Sequence, residues 1–424
     1  MLGIGPAGPL GDDRPVREPA ARLEEREALA VLVSVEGLGP MTLGRLVEAA
    51  GSGRAVLDLA RGPGGARAVA ALSAGEGWDG RALEPGLAAR VAAAGSDRHR
   101  ILAGLAAANV EIVTIDDPTY PPRLRSIALP PHVLFLRGEA AAMTTPRSVA
   151  VVGTRRPTPA GRTIAGRIAR LLVRAGASVV SGLAVGVDGA AHEAALREGG
   201  RTIAVIGSGH ARLYPAAHDR LAAAIVDSGG AVVSEFAPDV HATKGTFPRR
   251  NRLISGLSEA TIVVEAPARS GALTTAAWAL EQGRGCFLVP GALDAPMSAG
   301  CLAFLREASA EARIVAGLPE LLDDLGLSGA AGLSGGDRTS PPSVAGSGTW
   351  RRSGPSPEAV LQGLDSTPRR VAEALLAGAA TVDELVALTS LPVATILAAI
   401  TRLESADLVA GAYGRYVPTG GLAA

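Results

Sequence analysis

Lysine is almost missing from this 424-residue chain: of 41 basic residues, all but Lys244 are arginine. Aromatic residues are nearly as scarce, at 3%, so the cores that a 47% hydrophobic content can build must rest on Ala, Val, Leu and Ile. Two cysteines, Cys286 and Cys301, are too few for a disulfide framework or a cysteine-built zinc site. Basic and acidic residues balance at 41 each, so no global charge points to a polyanionic partner. No run of 18 apolar residues occurs, and no membrane span is expected. The first 22 residues are rich in Gly and Pro and lack the basic start and apolar stretch of a secretion signal, which makes the cytoplasm the expected location. Glycine and proline are plentiful, 54 and 29, but have no three-residue period, which excludes a collagen-like chain.

At ~150 residues per domain, the length predicts two to four domains. Residues 1–22 read as a disordered tail. Residues 23–108 carry helical periodicity: a helix over 24–35, a tight turn at Gly37-Leu38-Gly39-Pro40, a second helix over 41–50, and Ala-rich helices at 86–94 and 97–108. Over 109–325 the period changes. Short apolar strands are predicted at 110–115, 132–136, 148–152, 178–181, 202–206, 231–235, 260–265, 286–289 and 312–315. Helical segments at 159–175, 188–198, 216–228 and 272–283 separate several of them. That alternation predicts an α/β fold, a Rossmann-like doubly wound and mostly parallel sheet with both faces covered. Residues 326–357 are Gly/Ser/Pro-rich and read as a flexible linker. Three helices (368–377, 381–388, 392–405) and two short strands near 408–409 and 415–417 then suggest a winged helix over 358–418.

In an open α/β sheet, ligands bind outside the carboxyl ends of the strands. The residues there include Gly153-Thr154-Arg155-Arg156, Ser181-Gly182-Leu183-Ala184, Gly207-Ser208-Gly209 and Pro290-Gly291. Glycines admit a ligand to the backbone, and free N–H groups at helix starts favour anions. The first of these turns is not GxGxxG, and no GxxxxGK[ST] occurs, which argues against a dinucleotide dehydrogenase and a P-loop ATPase. The densest signal is Lys244 to Arg252, four positive charges in nine residues with no acid, read as a basic loop leading into a helix. Its cations suit phosphates, Asn251 a base edge or backbone group, and Phe247 a stacking face. The alternative is a solvated loop whose arginines pair with Glu235, Glu259 or Glu265. Asp188, Glu235 and Glu265, with His192, form a carboxylate set near the same edge. One reading makes a general base of one of them. The other has them orient the basic segment, with Asp188 as a helix N-cap and an ordinary i,i+4 pair with His192. None has metal-ligand spacing, and no metal or cofactor is expected.

From about residue 110 to 310 the chain resembles the DNA-processing protein A (DprA/Smf) family. The resemblance rests on Tyr120-Pro121, Gly153-Thr154-Arg155, Ser181 to Asp188 with His192, Tyr214-Pro215, Ser234-Glu235, Phe247-Pro248-Arg249-Arg250-Asn251-Arg252, Glu265 with Ser270 to Ala276, and Pro290-Gly291, in family order. It implies a cytoplasmic, non-enzymatic, single-stranded-DNA-binding homodimer that protects incoming strands during natural transformation and loads the RecA recombinase. Carried over residue by residue, the family's DNA site falls on Gly153, Thr154, Arg155, Gly182, Lys244, Phe247, Arg250, Asn251 and Arg252. The N-terminal helices are similar to the SAM-like, helix-hairpin-helix-related domain of many members, and 358–418 to their winged helix. Two positions depart from the pattern: Val185 replaces a frequent Arg, and Leu302 a usual Asn. The winged-helix segment carries four arginines against seven carboxylates, a poor electrostatic fit to phosphate, and reads as a protein-interaction module. Tyr413 and Tyr416 are candidates for stacking on its wing. A nucleotide-binding enzyme that cleaves an N-glycosidic bond, using Glu235 or Glu265, is the competing expectation.

Overall fold

A computed structural model describes residues 19–74, 83–327, 357–377, 379, 381–406, 408–412, 415–418 and 422. Most of the expected tail and linker, and Tyr413, lie outside the described residues. Chain contacts divide the protein into two units, Met1–Ser334 and Gly335–Ala424.

The first unit opens with six helices: α1 (Pro19–Val33), α2 (Pro40–Ala50), α3 (Gly53–Arg61), α4 (Gly65–Ala71), α5 (Pro85–Ser96) and α6 (Arg98–Ala107). Local signals set their ends. Pro40 starts α2, Gly51 stops it in the left-handed region, and the Ser52 hydroxyl accepts the Ala55 N–H to cap α3. Glu25 of α1 is buried and accepts the N–H groups of Gly53 and Arg54 at 2.7 and 2.9 Å, locking α1 across the start of α3. Leu32, Leu43, Leu46, Val56 and Val91 fill the core between them. Helices α3 and α4 were not anticipated, because short Gly-bounded segments resemble turns.

A nine-stranded sheet follows. In chain order its elements are β1 (Glu111–Thr114), α7 (Pro122–Arg125), β2 (Val133–Gly138), β3 (Ser148–Val152), α8 (Pro159–Arg174), β4 (Ser178–Ser181), α9 (Val187–Arg197), β5 (Thr202–Val205), α10 (Asp219–Asp227), β6 (Ala231–Ser234), α11 (Thr246–Gly256), β7 (Ala260–Val263), α12 (Gly271–Glu281), β8 (Gly285–Leu288), α13 (Ala299–Glu307), β9 (Ala312–Ile314) and α14 (Leu318–Asp324). The strand order is β1-β2-β6-β5-β4-β3-β7-β8-β9. Strands β3 to β9 run parallel, while β1 and β2 form an antiparallel edge against β6. The chain steps outward from β3 to β6 and then returns to place β7 on the other side of β3. The switch point therefore lies between β3 and β7, where ligands enter such sheets.

Both faces are covered, as the apolar strands require. In β3, Val149 and Val151 pack on one face with Ile168 and Leu172 of α8 and Ala191 and Ala194 of α9. Ala150 and Val152 pack on the other with Leu253 and Ile254 of α11 and Ala276 of α12. Alternate residues serve opposite cores, so the fold is doubly wound. Among the described residues, no helix is long and apolar enough to cross a membrane.

The second unit contains α15 (Pro357–Gln362), α16 (Ser366–Leu376), α17 (Val382–Thr389), α18 (Val393–Ser405) and the antiparallel pair β10 (Val409–Ala412) and β11 (Arg415–Pro418). Thr381 and Glu384 form a reciprocal capping box that starts α17. Val371, Leu375, Leu385, Ile396, Ile400 and Leu403 make its core. The result is a winged helix with one helix, α15, more than its sequence suggested.

Candidate functional site

The expected basic loop is a helix. Thr246–Gly256 is α11, so Phe247 to Arg252 lie in its first two turns and only Lys244 and Gly245 precede it. The helical period then sorts the cations. Arg249 is exposed, whereas Arg250, Asn251 and Arg252 are buried. Their polar composition hid the helix from a hydrophobic pattern, because the buried face of α11 is itself charged.

Each buried group has an internal partner. Arg252 donates to Glu235 at 2.7 Å, with the two side chains 4% and 3% exposed. Arg250 donates to the Gly182 carbonyl at 2.6 Å and to the Val205 carbonyl, which ties α11 to the ends of β4 and β5. Burial pushes its guanidinium down to about 10, opposed by the nearby Asp188 carboxylate. Asn251 donates to the Gly271 carbonyl at 3.0 Å, joining α11 to α12.

Glycines let these pieces meet. A Cβ on Gly182 would lie 2.7 Å from both terminal nitrogens of Arg250 and from Asp188 Oδ2. Gly186, at φ +96°, brings the start of α9 against the turn after β3, where a Cβ would stand 2.5 Å from the Thr154 carbonyl. That carbonyl accepts the Val187 N–H, and the Thr154 N–H donates to the Glu265 carbonyl at 2.7 Å, so Gly153 and Thr154 are held between α9 and β7.

The carboxylates serve the frame. Asp188 is in the first turn of α9 rather than its N-cap, which is Gly186. Its Oδ2 accepts the N–H of Gly182 at 3.1 Å and of Ala184 at 3.4 Å. Burial pushes its carboxyl up, opposed by Arg250 and these backbone donors. His192 does not pair with Asp188; its Nδ1 meets the Thr202 hydroxyl at 2.7 Å, and burial holds the ring down to about 3. Glu265 accepts the Thr158 N–H at 2.8 Å and its hydroxyl at 2.6 Å, steadying the Thr158 cap of α8. Cys301 is fully buried, and burial pushes its thiol up to about 11. Among the described residues, no group of three or more His, Cys, Asp or Glu is placed to hold a metal.

What remains facing outward is different in kind. The Arg155 guanidinium lies 4.8 Å from the centre of the Phe247 ring. Tyr214 stands 5.7 Å from the same ring, centre to centre, tilted by 55°. These three residues, with Gly182, Val185 and Arg250, line a small recess of about 30 Å³. Tyr214 is 48% exposed. Lys244 is exposed just ahead of α11 and is outside the recess lining, with no ion pair among the described residues. The structure thus brings Arg155, Gly182, Phe247 and Arg250 together, puts Gly153 and Thr154 behind them, and sets Asn251 and Arg252 deeper. Tyr214 was not among the nominated site residues. Its signal was an exposed aromatic beside Pro215, after the carboxyl end of β5.

A Rossmann-type sheet with a cationic, aromatic recess near its switch point, followed by a winged helix, is the architecture of a DNA-processing protein. The chain belongs to the DNA recombination-mediator protein A family, whose model matches residues 111–326; the DprA winged helix domain model matches 355–415. Over 192 residues it is 45% identical to protein Smf of Escherichia coli K12, covering 45% of this chain and 51% of that protein. Over 208 residues it is 39% identical to the DNA processing protein DprA of Bacillus subtilis, covering 49% of this chain and 70% of that protein. The first of these matches spans about half the length of the relative. The X-ray structure of DNA processing protein A from Streptococcus pneumoniae superposes with a TM-score of 0.58 at 30% identity, covering 71% of this chain and 97% of that one. The resemblance drawn from the motifs is confirmed, as is the doubly wound fold with its winged helix.

Proposed function

We propose that the recess binds single-stranded DNA, and that the chain acts as a mediator that protects an incoming strand and loads the RecA recombinase onto it during natural transformation. The observation that carries this reading is Arg155 resting on a partly exposed Phe247 beside the half-exposed Tyr214. Cations beside exposed rings are the two ingredients of sequence-tolerant single-strand binding. Arg155 and Lys244 contact phosphates, Phe247 and Tyr214 stack bases, and Gly153, Thr154 and Gly182 admit the backbone closely. Arg250 forms the floor of the recess, while Asn251 and Arg252 hold α11 in place. The starts of α8, α9 and α11 share this edge and add favourable dipole ends. A duplex, with its bases already stacked, gains only the phosphate contacts. A homodimer would offer two recesses to one strand and raise avidity. Against base-releasing chemistry, Glu235 and Glu265 are already engaged in an ion pair and a helix cap.

The test is fluorescence anisotropy with labelled single-stranded and duplex oligonucleotides over a salt series. Arg155→Ala/Lys244→Ala should lose about a hundredfold in single-strand affinity, as expected for two charge-assisted contacts. Its salt slope should fall by about 1.4. Phe247→Ala should cost about 1–3 kcal/mol with the slope unchanged. Equal binding by wild type and the double variant would sink the reading.

A further inference from the structure

The charge balance of the whole chain conceals a long one-signed stretch. Between Ala140 and Val187 there are seven arginines and no carboxylate. Arg155 and Arg156 stand in the turn at the recess, and Arg162, Arg167, Arg170 and Arg174 follow on α8, which starts at that same edge. On a helix of 3.6 residues per turn, Arg167, Arg170 and Arg174 fall within a sector of roughly 60°. That sector is opposite the buried Ile168 and Leu172, and so faces away from the sheet. Arg162 precedes Gly166 by one turn, on the flank where Gly166 closes on Ala194 of α9.

The side chains differ in how far they are neutralised. Arg174 is bound to Glu198 at 2.7 Å, and Arg170 lies within that carboxylate's influence. Arg197 of α9 takes Glu193. Arg156, Arg162 and Arg167 are exposed and form no ion pair among the described residues. The uncompensated charge is therefore greatest beside the recess and fades towards Arg174. From Pro159 to Arg170 the track is about 18 Å long. Aromatic and large apolar residues are missing from its exposed face, so it presents charge without a stacking surface.

We infer that α8 carries the continuation of a single DNA strand out of the recess, gripping its phosphates through Arg156, Arg162, Arg167 and Arg170 without stacking its bases. The inference rests on the reading of the recess given above and extends it. A polyanion is the partner such a face fits. A nucleic-acid strand is favoured over an acidic protein because the track starts where the recess, with its two rings, ends.

The experiment compares oligothymidylates of about 6 and about 20 nucleotides, bracketing common single-strand site sizes. It uses the full chain and an Arg162→Gln/Arg167→Gln/Arg170→Gln variant, with thermal melts to show that both are folded. The variant should bind the short oligonucleotide as wild type does. On the long one it should lose about tenfold in affinity, and its salt slope should fall by about 2. An identical gain with length in both proteins would overturn the track and leave the recess standing. Wild type that binds neither oligonucleotide would overturn the recess reading and the track with it. Polyglutamate that binds wild type and not the variant, with the long oligonucleotide bound equally by both, would also overturn the track, and would give the face to an acidic protein.

Discussion

The chain has two helices that its fold class would offer to nucleic acid, α11 at the sheet's edge and α18 of the winged helix, and they are built in opposite ways. Helix α11 and the residues just ahead of it bring four cations to the edge and bury half of them, leaving Lys244 and Arg249 outside while Arg250 binds the carbonyls after β4 and in β5 and Arg252 binds Glu235. Helix α18 turns Val393 and Leu397 outward, 49% and 43% exposed, with Leu388 of α17 at 62%, in a segment with more acid than base. A fold does not confer phosphate affinity; the side chains on one face of it do. The same contrast separates cations that hold the architecture from cations free to hold a ligand.

The largest expected effect breaks that second contrast at Arg252. Removing one partner of a buried ion pair strands the other charge, at about 3–5 kcal/mol. Arg252→Ala should lower stability by that amount in urea unfolding, whereas Lys244→Ala should leave stability within about 0.5 kcal/mol. The compensated Arg252→Met/Glu235→Leu variant should recover most of the loss. If Arg252→Ala proved as stable as wild type but lost DNA binding, the division between frame and ligand cations would be wrong.

A second effect separates the two units by pH. Every histidine in the sequence belongs to the first unit, and none to Gly335–Ala424. His210 is buried and donates through Nε2 to the Phe135 carbonyl, yet burial outweighs that bond and holds its pKa down to about 4. The unfolded ring binds a proton near pH 6.5 and the folded one does not, so acid favours unfolding. Stability linked to His210 is present above pH 6.5 and is lost as the pH falls to about 4. Between those limits wild type should lose about 3 kcal/mol more than His210→Gln, read as the difference between their unfolding curves. Asp188, whose carboxyl is pushed the other way, acts oppositely but cancels in that difference. Parallel curves would show that the ring takes up its proton without disturbing the fold.

How much of this was legible depended on which physical signal each element carried. The strands were readable because burial on both faces makes them short apolar runs: Ser148–Val152 and Ser178–Ser181 match their expected bounds. The antiparallel edge of β1 and β2 was not readable as such, because strand direction leaves no mark in composition. Helix α11 escaped because its inward face is Arg250, Asn251 and Arg252, polar residues satisfied by distant carbonyls and by Glu235. Those partners lie 17 to 68 residues away along the chain, beyond the reach of any local pattern. For the same reason the glycines were visible as turn formers, while the requirement at Gly182, room for the Arg250 guanidinium, emerged only in three dimensions. Tyr214 illustrates the limit for sites: its place beside Phe247 depends on two loops that meet only after β5 and β6 have paired.

The smallest expected effect bears on the winged helix. Removing residues 335–424 should change single-strand affinity by less than about twofold, because a segment with eight carboxylates to seven arginines adds no net phosphate attraction. A tenfold loss on that deletion would break the comparison outright. The sharper form is a gain. If charge is all that the outward face of α18 lacks, Val393→Arg/Leu397→Arg should give the full-length protein weak, salt-sensitive affinity for duplex DNA. It should leave stability nearly unchanged, since both positions are already wet. The added affinity would be small, because two cations release few counterions. Should the variant instead aggregate less than wild type without binding duplex, the exposed Val393 and Leu397 would be marked as a surface kept apolar for a protein.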